Sequence, residues 1–155
     1  MQIQIDSREK AKAVKRIVDE FNKQEIKHFT SKMFVGDYCE LSNPLLIIDR
    51  KQNIAEMGQN ATSGHARFKR ELERLKYIDG KMIILIEQDT ISGKKIQSLE
   101  DIMICKPKFG TIVGLQIYRI LSAWEHTYNI EFRFCNKKRT GKEIIKILRG
   151  NQDEE

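Results

Sequence analysis

At 155 residues the chain has the length of one ordinary domain, enough to bury a single core but not two full-sized ones. Apolar residues make up 40% and charged residues 32%, with two prolines and nine glycines, which excludes a disordered or low-complexity chain. The formal net charge of +6 makes a polyanion, nucleic acid above all, the first partner to consider, although many basic proteins bind none.

Ile3 and Ile5 alternate with Gln2, Gln4 and Asp6, the period-two pattern of a strand ending on a carboxylate. Ser7 is placed as an N-cap, and Val14, Ile17, Val18 and Phe21 recur at amphipathic spacing, so a helix is expected from about Glu9 to Asn22. Ile26 to Lys51 reads as three strands, broken near Ser31 to Met33 and again at the turn formers Ser42, Asn43 and Pro44. The third, Leu45 to Asp49, is apolar until its end, as a strand covered on both faces would be. A polar Gln59 to His65 loop precedes a charged helix striped by Phe68, Leu72 and Leu75. Lys81 to Ile86 is a further strand, followed by a turn region from Glu87 to Ser92. A long helix marked by Val113, Ile117, Ile120, Leu121, Trp124 and Tyr128, a strand at Ile130 to Cys135 and a helix containing Ile144, Ile145 and Leu148 complete the chain. Alternating strands and helices without repeat or linker give one α/β sandwich over residues 1–150, with a short acidic tail at 151–155.

The N-terminal residues lack the basic region and apolar run of a secretion signal, and no stretch approaches membrane-spanning length. A cytoplasmic protein without a membrane segment is expected. Cys39, Cys105 and Cys135 lie far apart and form no C-x-x-C pair, so they read as reduced, buried thiols, and His28, His65 and His126 as surface or structural residues.

The informative stretch is Val35-Gly36-Asp37-Tyr38, followed by Ile48-Asp49-Arg50-Lys51. Side chains alternate along a strand, so Asp49 and Lys51 project to one side and Arg50 to the other. A hairpin between the two pieces would bring Asp37 beside Asp49. Paired carboxylates repel, and a hard divalent cation, magnesium or manganese, resolves the repulsion by taking oxygen ligands from both. Such an ion polarises a phosphodiester, while Lys51 orients the attacking water or stabilises charge developing at phosphorus. Taken alone, a D-x-K triplet is common and reads more readily as a charged strand end in solvent.

Asp6-Ser7-Arg8-Glu9, Gly36-Asp37 and Asp49-Arg50-Lys51 together resemble the XPF-type nuclease family, which includes the archaeal Hef nuclease domain and small stand-alone phage-type members. The likeness continues through the Thr62-Ser63-Gly64 loop and Arg67-Phe68, and more loosely to Trp124 and the strand ending at Cys135. It implies a restriction-endonuclease-like three-layer sandwich with a central mixed sheet flanked by helices. It also implies metal-dependent endonuclease activity on branched, flap or junction DNA, and it makes a homodimer and a phage or mobile-element origin plausible. Carried over by position, Asp6, Asp37, Asp49 and Lys51 are the catalytic residues, Asp37 and Asp49 the magnesium ligands, and Arg8, Glu9 and Arg50 supporting residues. No small-molecule cofactor is expected.

Two departures matter. Asp49 stands where the family usually has glutamate, and the aspartate expected after three intervening residues is Ala55, with Glu56 next to it. The alternative is therefore a non-catalytic DNA-binding module of the same fold. The helix-hairpin-helix module that many members carry has no counterpart in this sequence, so DNA grip is expected from Arg67, Lys69, Arg70 and Arg74, which equally suit a solvated helix face interrupted by Glu71 and Glu73. Lys106, Lys108, Lys137, Lys138 and Arg139 form two more basic clusters, which read as solvated loops.

Overall fold

The structure, a computed structural model, describes residues 1–104 and 114–150. Cys105, Lys106, Lys108, Val113 and the 151–155 tail lie outside the described residues. Strands β1 (Gln2–Ile5), β2 (Lys27–Thr30), β3 (Tyr38–Glu40), β4 (Asn43–Lys51) and β5 (Lys81–Ile86) appear in chain order, then a small hairpin of β6 (Thr90–Ile91) and β7 (Lys94–Lys95), and finally β8 (Ile130–Phe134). The main sheet runs β2-β1-β3-β4-β5-β8. It is mixed: β1 pairs parallel with β2 and antiparallel with β3, β3 pairs antiparallel with β4, and β4, β5 and β8 are mutually parallel.

Helices α1 (Ala11–Lys23) and α5 (Thr140–Arg149) cover one face, and α2 (Ile54–Ala61), α3 (His65–Tyr77) and α4 (Gly114–Thr127) cover the other. The fully buried β5 shows why two layers are needed. Ile83 and Leu85 join Ile17, Phe21 and Ile144 on the first face, while Met82, Ile84 and Ile86 join Leu72, Ile117 and Trp124 on the second. The expected three-layer α/β sandwich is the observed fold. Trp124 belongs to its core, with its ring 5.2 Å from that of Phe68, and Cys39 and Cys135 are buried free thiols. Among the described residues no helix is long and apolar enough to cross a membrane.

Four local expectations differ from the structure. Helix α1 begins at Ala11 and Ser7 does not cap it, because Asp6 and Glu9 are drawn into long-range contacts that hold residues 6–10 as a turn. The β3–β4 turn is Leu41-Ser42, with Glu40 paired to Asn43 and its carboxylate accepting the Ser42 N–H and hydroxyl. Asn43 and Pro44 therefore open β4, where Pro44 lies before the β5 pairing that starts at Leu46. Residues 54–61 form α2, which runs into the Gln59 to His65 stretch expected as a loop: Asn53 Oδ1 accepts the Glu56 N–H at 2.8 Å, and Ile54, Met57 and Ala61 bury one stripe. Beyond β5, the turn region carries the β6–β7 hairpin and a short 3-10 helix over Leu99–Ile104.

Candidate active site

β4 leaves the core carrying Asp49 and Lys51 on the face of α3, and Arg50 on the face of α1. Tyr38 pairs with Ile48, and Asp37, at the bend just before β3, lines the same cleft as Asp49, whose charge acts on it. Gly36 makes the approach possible. Its φ of +71° suits glycine, and a Cβ there would overlap Ile47 and come 3.1 Å from the Ile48 carbonyl.

Asp37 is fixed from three sides. Its N–H donates to the Ile48 carbonyl at 2.8 Å, its carbonyl accepts the Asp6 N–H at 2.8 Å, and its Oδ2 accepts the Arg50 N–H at 2.8 Å. Lys51 Nζ lies 2.9 Å from Asp49 Oδ2 and 4.8 Å above the Phe68 ring, in a largely buried slot. The result is a polar cleft of about 250 Å³ whose walls include Asp37, Asp49, Lys51, Arg67 and Glu71.

Electrostatics match that crowding. Burial, then the charges of Asp49 and Glu9, hold the Asp37 carboxyl well above the ordinary carboxylate range. Glu71 is raised in the same way, by burial first and then by Asp49. Burial alone would lower the Lys51 ammonium, but the charges of Asp49, Asp37 and Glu71 outweigh it and raise Lys51 above the usual lysine value. Lys51 is therefore a cation at neutral pH, suited to stabilising negative charge and not to accepting a proton.

The fit to a divalent cation can be judged on this geometry. Asp49 Oδ2 is buried with the Lys51 ammonium 2.9 Å away as its partner, and Asp37 and Glu71 crowd further carboxylates into the same cleft. Crowded like charges are what a hard cation relieves. Among the described residues no three His, Cys, Asp or Glu side chains converge into a closed metal cage. Asp37 and Asp49 instead offer the open, two-carboxylate donor set that suits magnesium, which keeps waters and takes substrate phosphate oxygens as further ligands.

The remaining residues of the expected site divide. Asp6 has both carboxylate oxygens engaged: Oδ1 accepts the Met33 N–H at 2.8 Å and Oδ2 accepts Arg8 Nε at 2.8 Å. It positions Arg8, which also donates to the Met33 carbonyl at 2.9 Å. On the α1 face, Arg50 donates to Glu9 at 2.9 Å and pairs with Glu87, while the Tyr38 hydroxyl donates to Glu9 at 2.6 Å. This network anchors the chain before α1 to the end of β4. Glu56 borders the cleft with one oxygen committed to the Gln52 N–H at 2.7 Å. On α3, Arg67 lines the cleft, and helical spacing puts Arg70 and Arg74 on its flank, whereas Lys69 lies on the opposite flank. Arg74 also donates to the Phe34 carbonyl at 3.2 Å.

Glu71 is the site residue that sequence reasoning took only as surface charge. It sits one turn after Arg67 and accepts the Gly36 N–H at 3.0 Å, tying α3 to the Gly36-Asp37 loop. The signal was present in its spacing beside the Phe68–Leu72–Leu75 stripe, which places it on a half-buried shoulder.

Asp37 also yields a prediction. Its raised folded value means that the protonated form contributes stability fully below the ordinary carboxylate range, and that stability is lost as pH rises through the folded value. Asp37→Asn keeps an acceptor for the Arg50 N–H and removes the charge. In chelator at neutral pH, Asp37→Asn should unfold roughly 2–4 °C higher than the parent protein, the shift that ~1 kcal/mol gives in a domain of this size. The advantage should vanish as the pH falls into the carboxylate range, and thermal melts across pH would show it.

Residues 5–148 match the profile of the family described as ERCC4 domain. Among solved structures, XPF from Aeropyrum pernix superposes with a TM-score of 0.71 at 16% identity, covering 99% of this chain and 66% of that chain. XPF from Aeropyrum pernix in complex with DNA gives a TM-score of 0.66 at 16% identity, covering 96% of this chain and 63% of that chain. The chain thus spans slightly less than two thirds of these structural relatives, and at such identity the likeness shows the fold. No curated protein sequence matches the chain significantly.

Proposed function

Because the chain belongs to the ERCC4 domain family, the XPF-type nucleases, we propose that it is a divalent-metal-dependent DNA endonuclease selective for branched, flap or junction DNA. The observation that carries this reading is the convergence of Asp37 and Asp49 on one open polar cleft beside a buried, cationic Lys51. A relative with the same fold, XPF from Aeropyrum pernix, has been captured with DNA. The homodimer implied by the sequence resemblance and a cytoplasmic location belong to the same proposal.

Asp37 and Asp49 would hold a magnesium or manganese ion, which supplies Lewis acidity to the scissile phosphate. Arg67 and Arg8, at the cleft rim, bind flanking phosphates and orient the backbone. Lys51, held over Phe68, presents its ammonium to the non-bridging oxygens as charge accumulates at phosphorus. Asp6 positions Arg8, and Glu71 holds the Gly36-Asp37 loop in register with β4.

The test is incubation of the purified protein with forked, flapped and linear DNA of equal length. Cleavage of the branched forms that requires magnesium and stops in chelator is expected. Tight DNA binding without cleavage under any divalent ion would instead identify a binding module, the alternative that Ala55 leaves open.

A further inference from the structure

A second concavity lies behind the catalytic cleft. Helix α1, the turn after β8 and the first residues of α5 bound a groove of about 430 Å³. Setting aside the buried Arg50–Glu87 pair, six cations, among them Lys12, Arg16, Lys137 and Lys138, face only Asp19 and Glu20. The groove's walls are tied together. Arg16 Nη1 donates to the Lys137 carbonyl at 3.4 Å. Gly141 lets α5 lie directly on α1, since a Cβ there would stand 2.7 Å from Glu20 Cβ and 3.3 Å from the Ile17 carbonyl.

The groove adjoins the cleft. Lys10, Arg50 and Gln52 line both. Arg50 forms the partition: its N–H holds Asp37 on the catalytic side, and its guanidinium is spent on Glu9 and Glu87 on the other. A single small anion is held by convergent, buried donors, yet Lys12, Arg16, Lys137 and Lys138 are exposed and spread along the two walls. That distribution suits a row of phosphates, each contact adding sequence-independent, salt-dependent affinity.

We propose that the groove between α1 and α5 holds the phosphodiester backbone of one DNA strand after it passes out of the catalytic cleft around the end of β4. It rests on the nuclease reading and adds a path for a single-stranded arm. A junction offers such an arm where a blunt duplex does not, so the groove would contribute to structure selectivity.

The experiment measures binding, not cleavage, in chelator, using a fluorescent duplex with a single-stranded tail and the same duplex without it. Lys12→Glu/Lys138→Glu changes two exposed residues of the groove. Lys94→Glu/Lys95→Glu makes the same charge change on the β6–β7 hairpin. The groove variant should bind tailed DNA on the order of tenfold more weakly at low salt, with the salt slope reduced by about 1.4, the value for two lost single-strand phosphate contacts. The hairpin variant should stay close to the parent protein, and the blunt duplex should be affected far less. Unchanged binding of tailed DNA by the groove variant, or an equal loss in the hairpin variant, overturns the proposal. Displacement of the tail by millimolar inorganic phosphate at constant ionic strength would mark a small-anion pocket and also overturn it. If the parent protein binds neither DNA, the nuclease reading itself falls.

Discussion

Lys51→Ala is expected to slow DNA cleavage by about 10²–10³-fold, the loss typical of removing one charge-stabilising donor from a transition state, while leaving KM and divalent-ion binding nearly intact. The ammonium is fixed by Asp49 and the Phe68 ring, so its position is set before substrate arrives. Surrounding carboxylates keep it protonated. Its contribution therefore falls on kcat. Single-turnover kinetics at saturating protein, with a magnesium-dependent thermal shift measured in parallel, separates the roles. A matched loss of DNA affinity and rate would instead make Lys51 a binding residue.

Asp49→Asn should have the larger effect, about 10³-fold or more in cleavage, equivalent to roughly 4 kcal/mol of barrier. The substitution keeps the shape and removes the charge that pairs with Asp37 around the ion. Lys51 retains Asp37 and Glu71 as nearby anions, so the fold should persist. A second readout does not depend on activity: the parent protein should gain thermal stability with rising magnesium, as any ligand that binds only the native state confers, and Asp49→Asn should not. Retention of the full shift would place the ion elsewhere.

Much of this site was legible because β periodicity is a rigid rule. Asp49 and Lys51 had to share a face and Arg50 had to leave it, and Asp37 lines the same cleft from the bend before β3. The β5 run announced a strand buried on both faces. What escaped depended on tertiary contacts. Ser7 looked like a cap, but Asp6 and Glu9 are held by Arg8, Met33, Arg50 and Tyr38, which delays α1 to Ala11. Helix α2 is eight residues long and contains Gly58 and polar Gln59 and Asn60, so its Ile54–Met57–Ala61 stripe was too short to stand out. Gly58 has a packing reason, since a Cβ there would come within 3.3 Å of Ile117. Glu71 and Lys69 illustrate the same limit. Both belong to one charged helix, and only the position of the β3–β4 hairpin decides which flank becomes the wall of a cleft.

The account depends on Asp37 and Asp49 sharing one cation, and anomalous diffraction from manganese-soaked crystals tests that directly. A peak at about 2.1 Å from a carboxylate oxygen of each residue is predicted, the usual reach of a small hard divalent ion. A peak bound by other residues, or cleavage-competent protein with no ion between these two aspartates, would contradict it.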